Sequence, residues 1–292
     1  ETIRERMYPE VRDKIVQFDL LNQGFPYQVE STNSVKYYYQ LFGQHTYKEY
    51  INLYLNGKEQ PLSQWPNGDD QYVTYVEAVT KGDSEGGREG GSFKYAEDNP
   101  KRWGNAENAW LAGYPSIDFR FERNSISSID PVNKIIQVAT PTASGVGSQE
   151  SKRWKVFNLL EEIDMPGEWY VDRNTMRLYY YPEYSISDAK LEISFLQSEM
   201  INLTNAKNIT FDGINFSQSR SVAVKMTDVS DITITNCRFE NLDSGGIIMI
   251  GSRKAETDKH WWQRQEIDAA YNCEISNNIF YNIGGSAAHI NG

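Results

Sequence analysis

Three carboxylates stand where side chains can work on a polar substrate. Asp243 lies in the turn at residues 240–246, and Glu266 and Asp268 lie in the long stretch at residues 251–270. Paired carboxyl groups suit acid and base work on an acetal: ~5–5.5 Å apart with retention at the sugar carbon, ~6.5–9.5 Å with inversion. The same long stretch carries His260, Trp261 and Trp262, and adjacent tryptophans on a loop suit stacking on a sugar ring. His289, Lys225 and Asn202 complete the candidate substrate contacts. Each has a plainer alternative. An Asp before Ser-Gly-Gly is a turn former, loop carboxylates are commonly solvated, and the last three fit an ordinary exposed sheet face.

Other chemistry finds little support. The chain has two Cys, Cys237 and Cys273, and three His, at 45, 260 and 289. Neither set has metal-ligand spacing or makes a disulfide framework. The four glycines at 86, 87, 90 and 91 do not join a strand to a helix, so they are no phosphate loop. No metal and no cofactor is expected. Matches to the glycosylation sequon at Asn202, Asn208 and Asn215 fall on a regular repeat and arise from its Asn-rich corners.

That repeat is the element that must position the candidates. Asn208-Ile-Thr-Phe-Asp-Gly-Ile-Asn-Phe216 aligns with Asp231-Ile-Thr-Ile-Thr-Asn-Cys-Arg-Phe239 and with Asn272-Cys-Glu-Ile-Ser-Asn-Asn-Ile-Phe280. The first spacing is 231 − 208 = 23 residues, and the second, 272 − 231 = 41, is 23 plus an insertion of 18. A 23-residue unit of three short strands with Asn or Gly corners is one rung of a right-handed parallel β-helix. Period-two alternation then assigns faces. Ile201, Val224, Ile247 and Ala288 stack inward, as do Leu203, Met226, Met249 and Ile290. Asn202, Lys225, Ile248 and His289 form an outward row. Asp243 falls at a corner between Arg220 below and Gly284 above, and both cysteines fall on core positions. The 18-residue insertion leaves just after the third inward strand, at about residues 251–270.

Upstream the texture differs. Residues 1–14 are charged and read as a connector. From Ile15 to about residue 190, short alternating runs are cut by turn residues, as in Ile51-Asn-Leu-Tyr-Leu55 followed by Asn56-Gly57, a pair suited to a tight hairpin. Ile117–Glu122 alternates as a strand, and residues 156–163 are the best short helical candidate. Many short strands mean a sandwich or barrel. The whole is therefore expected to be all-β: a sandwich-like domain at 15–190 and a parallel β-helix at 191–292, a fragment cut at its C-terminal end.

Composition bounds the partners. The chain carries 29 basic and 40 acidic side chains among 292 residues, a formal charge of −11. Residues 191–292 hold 8 basic and 12 acidic, so −4 lies there and −7 in the rest. Neither half is a basic module, which argues against nucleic acid and anionic membrane. Apolar runs are far shorter than the ~18–20 residues of a membrane span. Nineteen Tyr and seven Trp fit a surface that stacks on sugars, and equally an aromatic all-β core.

Several phrases carry a family likeness. They are Leu55-Asn-Gly-Lys58, Gln64-Trp-Pro-Asn67, Gly90-Gly-Ser-Phe-Lys-Tyr95, Trp110-Leu-Ala-Gly-Tyr114, Asn158-Leu-Leu-Glu-Glu-Ile-Asp-Met-Pro-Gly-Glu-Trp-Tyr-Val-Asp-Arg173 and Leu178-Tyr-Tyr-Tyr-Pro182. Together they resemble the parallel β-helix carbohydrate enzymes with an inserted β-sandwich, the xylosidases of glycoside hydrolase family 120 and the enzymes of family 141. The resemblance implies a β-helix that begins, is interrupted by the sandwich and resumes. It also implies a carboxylate pair on the resumed helix, with Asp243, Glu266 and Asp268 as the candidates. The expected partner is a polysaccharide or oligosaccharide, met outside the cell, so a secreted, periplasmic or surface location is expected. A polysaccharide lyase is the first alternative; it wants cations, and Lys225, Arg253 and Lys254 are the ones on offer. A non-catalytic carbohydrate-binding surface protein is the second.

Overall fold

Left-handed corners in register organise the C-terminal half. Asn208, Asp231 and Asn272 have φ of 58°, 56° and 51°. Gly213, Asn236 and Asn277 follow at 70°, 54° and 54°, and Gln218, Asn241 and Asn282 at 60°, 54° and 50°. Asn, Asp and Gly enter this region at least cost, which is why these types recur at 23- and 41-residue intervals. The computed structural model describes residues 3–25, 51–68, 70–82, 89–104, 106, 109–118, 121–142, 145–147, 151–196, 198–253, 266–268 and 270–291.

Three parallel sheets run between and through these left-handed positions. The first stacks Ile201–Thr204, Val222–Thr227, Gly245–Ile250 and Ala288–Asn291; the second stacks Lys207–Asp212, Ser230–Thr235 and Glu274–Ser276. The third stacks Asn215–Ser219, Arg238–Leu242 and Ile279–Ile283. In the first sheet Ile201 pairs with Val224, Val224 with Ile247 and Ile247 with Ala288, so the inward rows are those the alternation assigns. Val224, Met226, Ile247 and Met249 are buried, and so is Cys237, while Cys273 is half-buried against the same core. Phe216, Phe239 and Phe280 form an aromatic ladder with centroid separations of 4.9 and 4.8 Å, the rise of one rung. Polar ladders accompany it. Asn236 Nδ2 donates to Asp212 Oδ1 at 2.8 Å, Asn282 Nδ2 to Asn241 Oδ1 at 2.9 Å, and Asn272 Nδ2 to Asp231 Oδ1. After the third first-sheet strand the chain leaves as Ser252–Arg253 and returns as Glu266–Asp268, an antiparallel pair at the root of the 18-residue insertion.

The chain divides into two compact units, residues 1–37 with 53–191, and residues 38–52 with 192–292. The first unit is antiparallel throughout its named sheets. Its large sheet runs in the order Gln64–Trp65, Arg153–Phe157, Trp110–Tyr114, Glu122–Asp130, Ile135–Val138, Ser92–Lys94 and Glu77–Thr80. One face buries Phe93, Tyr95, Trp103, Leu111, Ile136, Trp154 and Val156. A three-stranded sheet orders Val16–Asp19, Arg177–Tyr180 and Trp169–Asp172. Asn56 and Gly57, at φ 51° and 80°, close the hairpin between Leu53–Leu55 and Lys58–Gln60.

Three local expectations give way. Residues 156–163 are not helical: Arg153–Phe157 is a strand paired on both sides, followed by a single 3-10 turn at Leu160–Glu162. Sheet pairing overrides the local spacing there. The strand expected at Ile117 starts at Glu122, because Ser116 to Asp118 lie in the connection from Trp110–Tyr114. The charged residues 1–14 are also more than a tether, since Met7 and Val11 are buried against Leu160, Ile163, Tyr170 and Tyr179.

The ladder yields a stability test. Phe239→Ala removes a fully buried ring that stacks on both sides. It should cost about 3–5 kcal/mol in chemical denaturation. Ile214→Ala, at 38% exposure, should stay within about 0.5 kcal/mol. Equal effects would contradict the ladder.

Candidate functional site

Asp243 sits in the corner between the third-sheet strand Arg238–Leu242 and the first-sheet strand Gly245–Ile250. The register puts it above Arg220 and below Gly284, since Ser219 pairs with Leu242 and Leu242 with Ile283. Gly284 has no room for a side chain: a Cβ there would lie 2.1 Å from the Asp243 carbonyl oxygen. Asp243 is only 6% exposed. Asn52 Nδ2 donates to both of its carboxylate oxygens, at 2.7 and 2.6 Å. Asn52 is itself pinned by Ser194, whose Oγ accepts from the Asn52 N–H and whose N–H donates to the Asn52 carbonyl, each at 3.0 Å. Arg220 below is fully buried.

The outward row of the first sheet is as the alternation places it. Asn202 pairs with Lys225, Lys225 with Ile248 and Ile248 with His289. Its character is mixed. Asn202 is exposed, Lys225 and His289 are half-buried, and Ile248 is 6% exposed. An apolar side chain thus separates Lys225 from His289. Lys225 Nζ donates to Glu199 Oε1 at 3.1 Å. Partial burial works against the Glu199 carboxylate, but its own backbone N–H and Lys225 together hold its pKa below the ordinary value. Glu199 precedes the strand Ile201–Thr204 and aligns with Val222 and Gly245, so it lies on the same edge of the sheet as Asp243.

Glu266 and Asp268 are not brought to that edge. Their backbone pairs with Arg253 and Ser252, beyond the far end of Gly245–Ile250. At ~3.3 Å per residue that six-residue strand keeps its two ends about 17 Å apart. The gap exceeds the ~9.5 Å limit for a hydrolytic carboxyl pair. His260, Trp261, Trp262 and Lys254 lie outside the described residues.

Two participants escape the sequence reading. Asn52 is 191 residues from Asp243, and nothing local announces it. Glu199 was findable: the 23-residue repeat places it two rungs below the corner of Asp243. Among the described residues no group of three or more His, Cys, Asp or Glu could hold a metal ion.

The first unit holds two carboxyl groups that burial raises well above the ordinary range, and they serve its scaffold. Burial pushes Glu162 up to about 7 against a hydrogen bond from Trp103 Nε1 at 2.6 Å and the charge of Arg102. Burial pushes Glu168 up to about 8, although the N–H groups of Asp164 and Met165 donate to its Oε2 at 2.9 and 3.0 Å. Both are enclosed, at 0% and 2% exposure, so a substrate has no access to them. Arg6 pairs with the neighbouring Glu161 at 2.9 Å, and Arg102 lies 3.5 Å over the Tyr8 ring, so the cluster ties down the N-terminal segment.

With this geometry in place, the comparisons define the class of fold. Residues 183–292 match the right-handed β-helix region family. No curated protein matches the chain. A solved structure titled "Glycoside hydrolase" superposes with a TM-score of 0.58 at 12% identity, covering 82% of this chain and 54% of that one. The chain thus spans about half the length of that structure. It is an all-β protein built on a right-handed parallel β-helix. No helix among the described residues is long and apolar enough to cross a membrane.

The raised carboxyl groups predict a pH dependence. Folded values of about 7 and about 8 lie above the ordinary 4.5, so the folded chain binds more protons than the unfolded one. Their contribution is full below about pH 4.5 and is lost as pH rises through about 7 and then about 8. Tm should therefore fall between about pH 5 and about pH 9, and Glu168→Gln should flatten the fall. A Tm equally steep in the variant would count against this assignment.

Proposed function

We propose that the chain is part of a glycoside hydrolase that cleaves a polysaccharide or oligosaccharide with carboxyl groups on the β-helix. The observation that carries this is the edge of the first sheet. There Asp243 is held by Asn52, and Glu199 stands two rungs away beside Lys225. Glu199 aligns with Gly245, so it lies two rungs, ~10 Å of stack, and two residues along the chain from Asp243, and the two side chains would lean together to reach the ~6.5–9.5 Å of a hydrolytic pair. Lys225 keeps Glu199 ionised, which suits a base that takes a proton from a water as that water bonds to the sugar carbon. Asp243 is then the proton donor to the leaving oxygen. An amide beside it serves both states, donating N–H to the carboxylate and accepting from the acid through its carbonyl. Asn202 and His289 would contact sugar hydroxyls.

The likeness to a glycoside hydrolase of the same fold supports this reading, as does the resemblance of the upstream phrases to those of families 120 and 141. The antiparallel unit, about residues 15–190, is then an insertion in the β-helix. Export to the cell surface, periplasm or medium follows from a polymeric substrate. The lyase alternative is weakened by Lys225, whose ammonium already faces Glu199 and has less to offer a uronate carboxylate.

The test is release of reducing ends from an oligosaccharide panel by the full chain. Asp243→Asn and Glu199→Gln should each lower kcat by at least about a hundredfold, a general acid–base contribution, in variants that still melt cooperatively above the assay temperature. Wild-type turnover in Asp243→Asn would sink the proposal. Saturable binding with no turnover by the wild type would mark a carbohydrate-binding protein instead.

A further inference from the structure

Sheet alternation in the antiparallel unit leaves one face with an unusual composition. Trp110 pairs with Phe157, Ala112 with Arg123 and Lys155, and Tyr114 with Arg153. These residues share a face, because Leu111, Trp154 and Val156 between them enter the core. Tyr72 and Phe121 extend it. Their rings meet Tyr114 edge-on, at 5.8 and 5.5 Å, both inclined by 70°. The face thus holds five aromatic rings and three cations, and none of these positions is a carboxylate.

One end of the face is buried and the other open. Trp110, Lys155 and Phe157 are buried. Tyr72, Tyr114, Arg123 and Arg153 are half-buried, and Phe121 is 41% exposed. At the open end the cations lie on the rings. The Arg153 guanidinium is 4.2 Å from the Tyr114 centroid and 5.8 Å from that of Tyr72. Arg123 lies 5.3 Å from Phe121. Arg153 also pairs with Asp118 at 2.9 Å, but that carboxylate is 74% exposed and the pair is one that water and salt readily exchange. On a chain of charge −11, this is a local reversal of sign.

We propose that this face binds an oligosaccharide bearing uronate groups, apart from the β-helix site. Tyr72, Tyr114 and Phe121 offer apolar edges and faces to sugar C–H surfaces. Arg153, exchanging Asp118 for the ligand, offers a bidentate fork to the uronate carboxylate, and Arg123 adds a second positive charge. The proposal goes beyond the hydrolytic reading and does not depend on it. It assigns a substrate class, a glycan with acidic substituents, that the overall acidity of the chain conceals.

Isothermal titration of the full chain tests it, with tetragalacturonate, its methyl ester and a glucuronate-bearing xylo-oligosaccharide as ligands. At least one free acid should bind saturably, and the ester should bind about tenfold more weakly than its acid, the value of one charge-assisted contact. Arg153→Gln should abolish that preference for the acid. Tyr114→Ala should weaken acid and ester alike. Phe121→Ala, at an exposed position, gives the same reading free of any packing role of Tyr114. Hydrolysis of a neutral oligosaccharide serves as the fold control and should be unchanged; where the chain has no turnover, the thermal melt takes its place. Absence of saturable binding to any of the acids would overturn the proposal, and so would wild-type affinity in all three variants. A single-stranded oligonucleotide that binds more tightly, and loses affinity in the same variants, would reassign the face and equally overturn it.

Discussion

Stacking of successive rungs is the constraint on which the C-terminal half depends. Backbone bonds join each rung to the next, but a rung closes only if the chain turns sharply at fixed positions. The left-handed residues supply those turns, and amides among them bond to the rung below, as Asn236 does to Asp212 and Asn282 to Asn241. Phe216, Phe239 and Phe280 fill the interior at the same spacing. Corner conformation, polar ladder and core ladder therefore share one period. A residue out of register at any of them disturbs all three.

The same constraint decides what can meet in the site. Side chains gather along a sheet edge because rungs repeat, and they are kept apart along a strand because strands are stiff. Asp243 and Glu199 lie at the edge where the first-sheet strands begin, and Lys225, within its strand, reaches back to Glu199 with its ammonium. Glu266 and Asp268 lie beyond where those strands end. The backbone at Glu266 and Asp268 is thus too far along the strand for either to complete a carboxyl pair with Asp243. The partner that fixes Asp243 is instead Asn52, grouped with the β-helix although in sequence it falls between the two segments of the antiparallel unit.

How far the sequence reaches follows from range. The β-helix was legible because its signal repeats: the 23-residue period of Asn208, Asp231 and their neighbours fixes the corners, the inward rows and the outward row of Asn202, Lys225, Ile248 and His289. Tight hairpins were legible where two residues decide them, as at Asn56 and Gly57. The strand at Arg153–Phe157 was not, since its state is set by neighbours from distant segments and not by its own spacing. Asn52 was illegible for the same reason. Glu199 lay within reach, since the repeat alone aligns it with Val222 and Gly245.

The central claim is that the opening edge of the first sheet is where a glycosidic bond is cut. A crystal structure of Asp243→Asn with a bound oligosaccharide tests it most directly. The account predicts a sugar lying across the outward row, with a glycosidic oxygen within hydrogen-bond reach of residue 243 and a sugar carbon facing Glu199. An oligosaccharide bound only elsewhere, with that edge empty at saturating ligand, would contradict it.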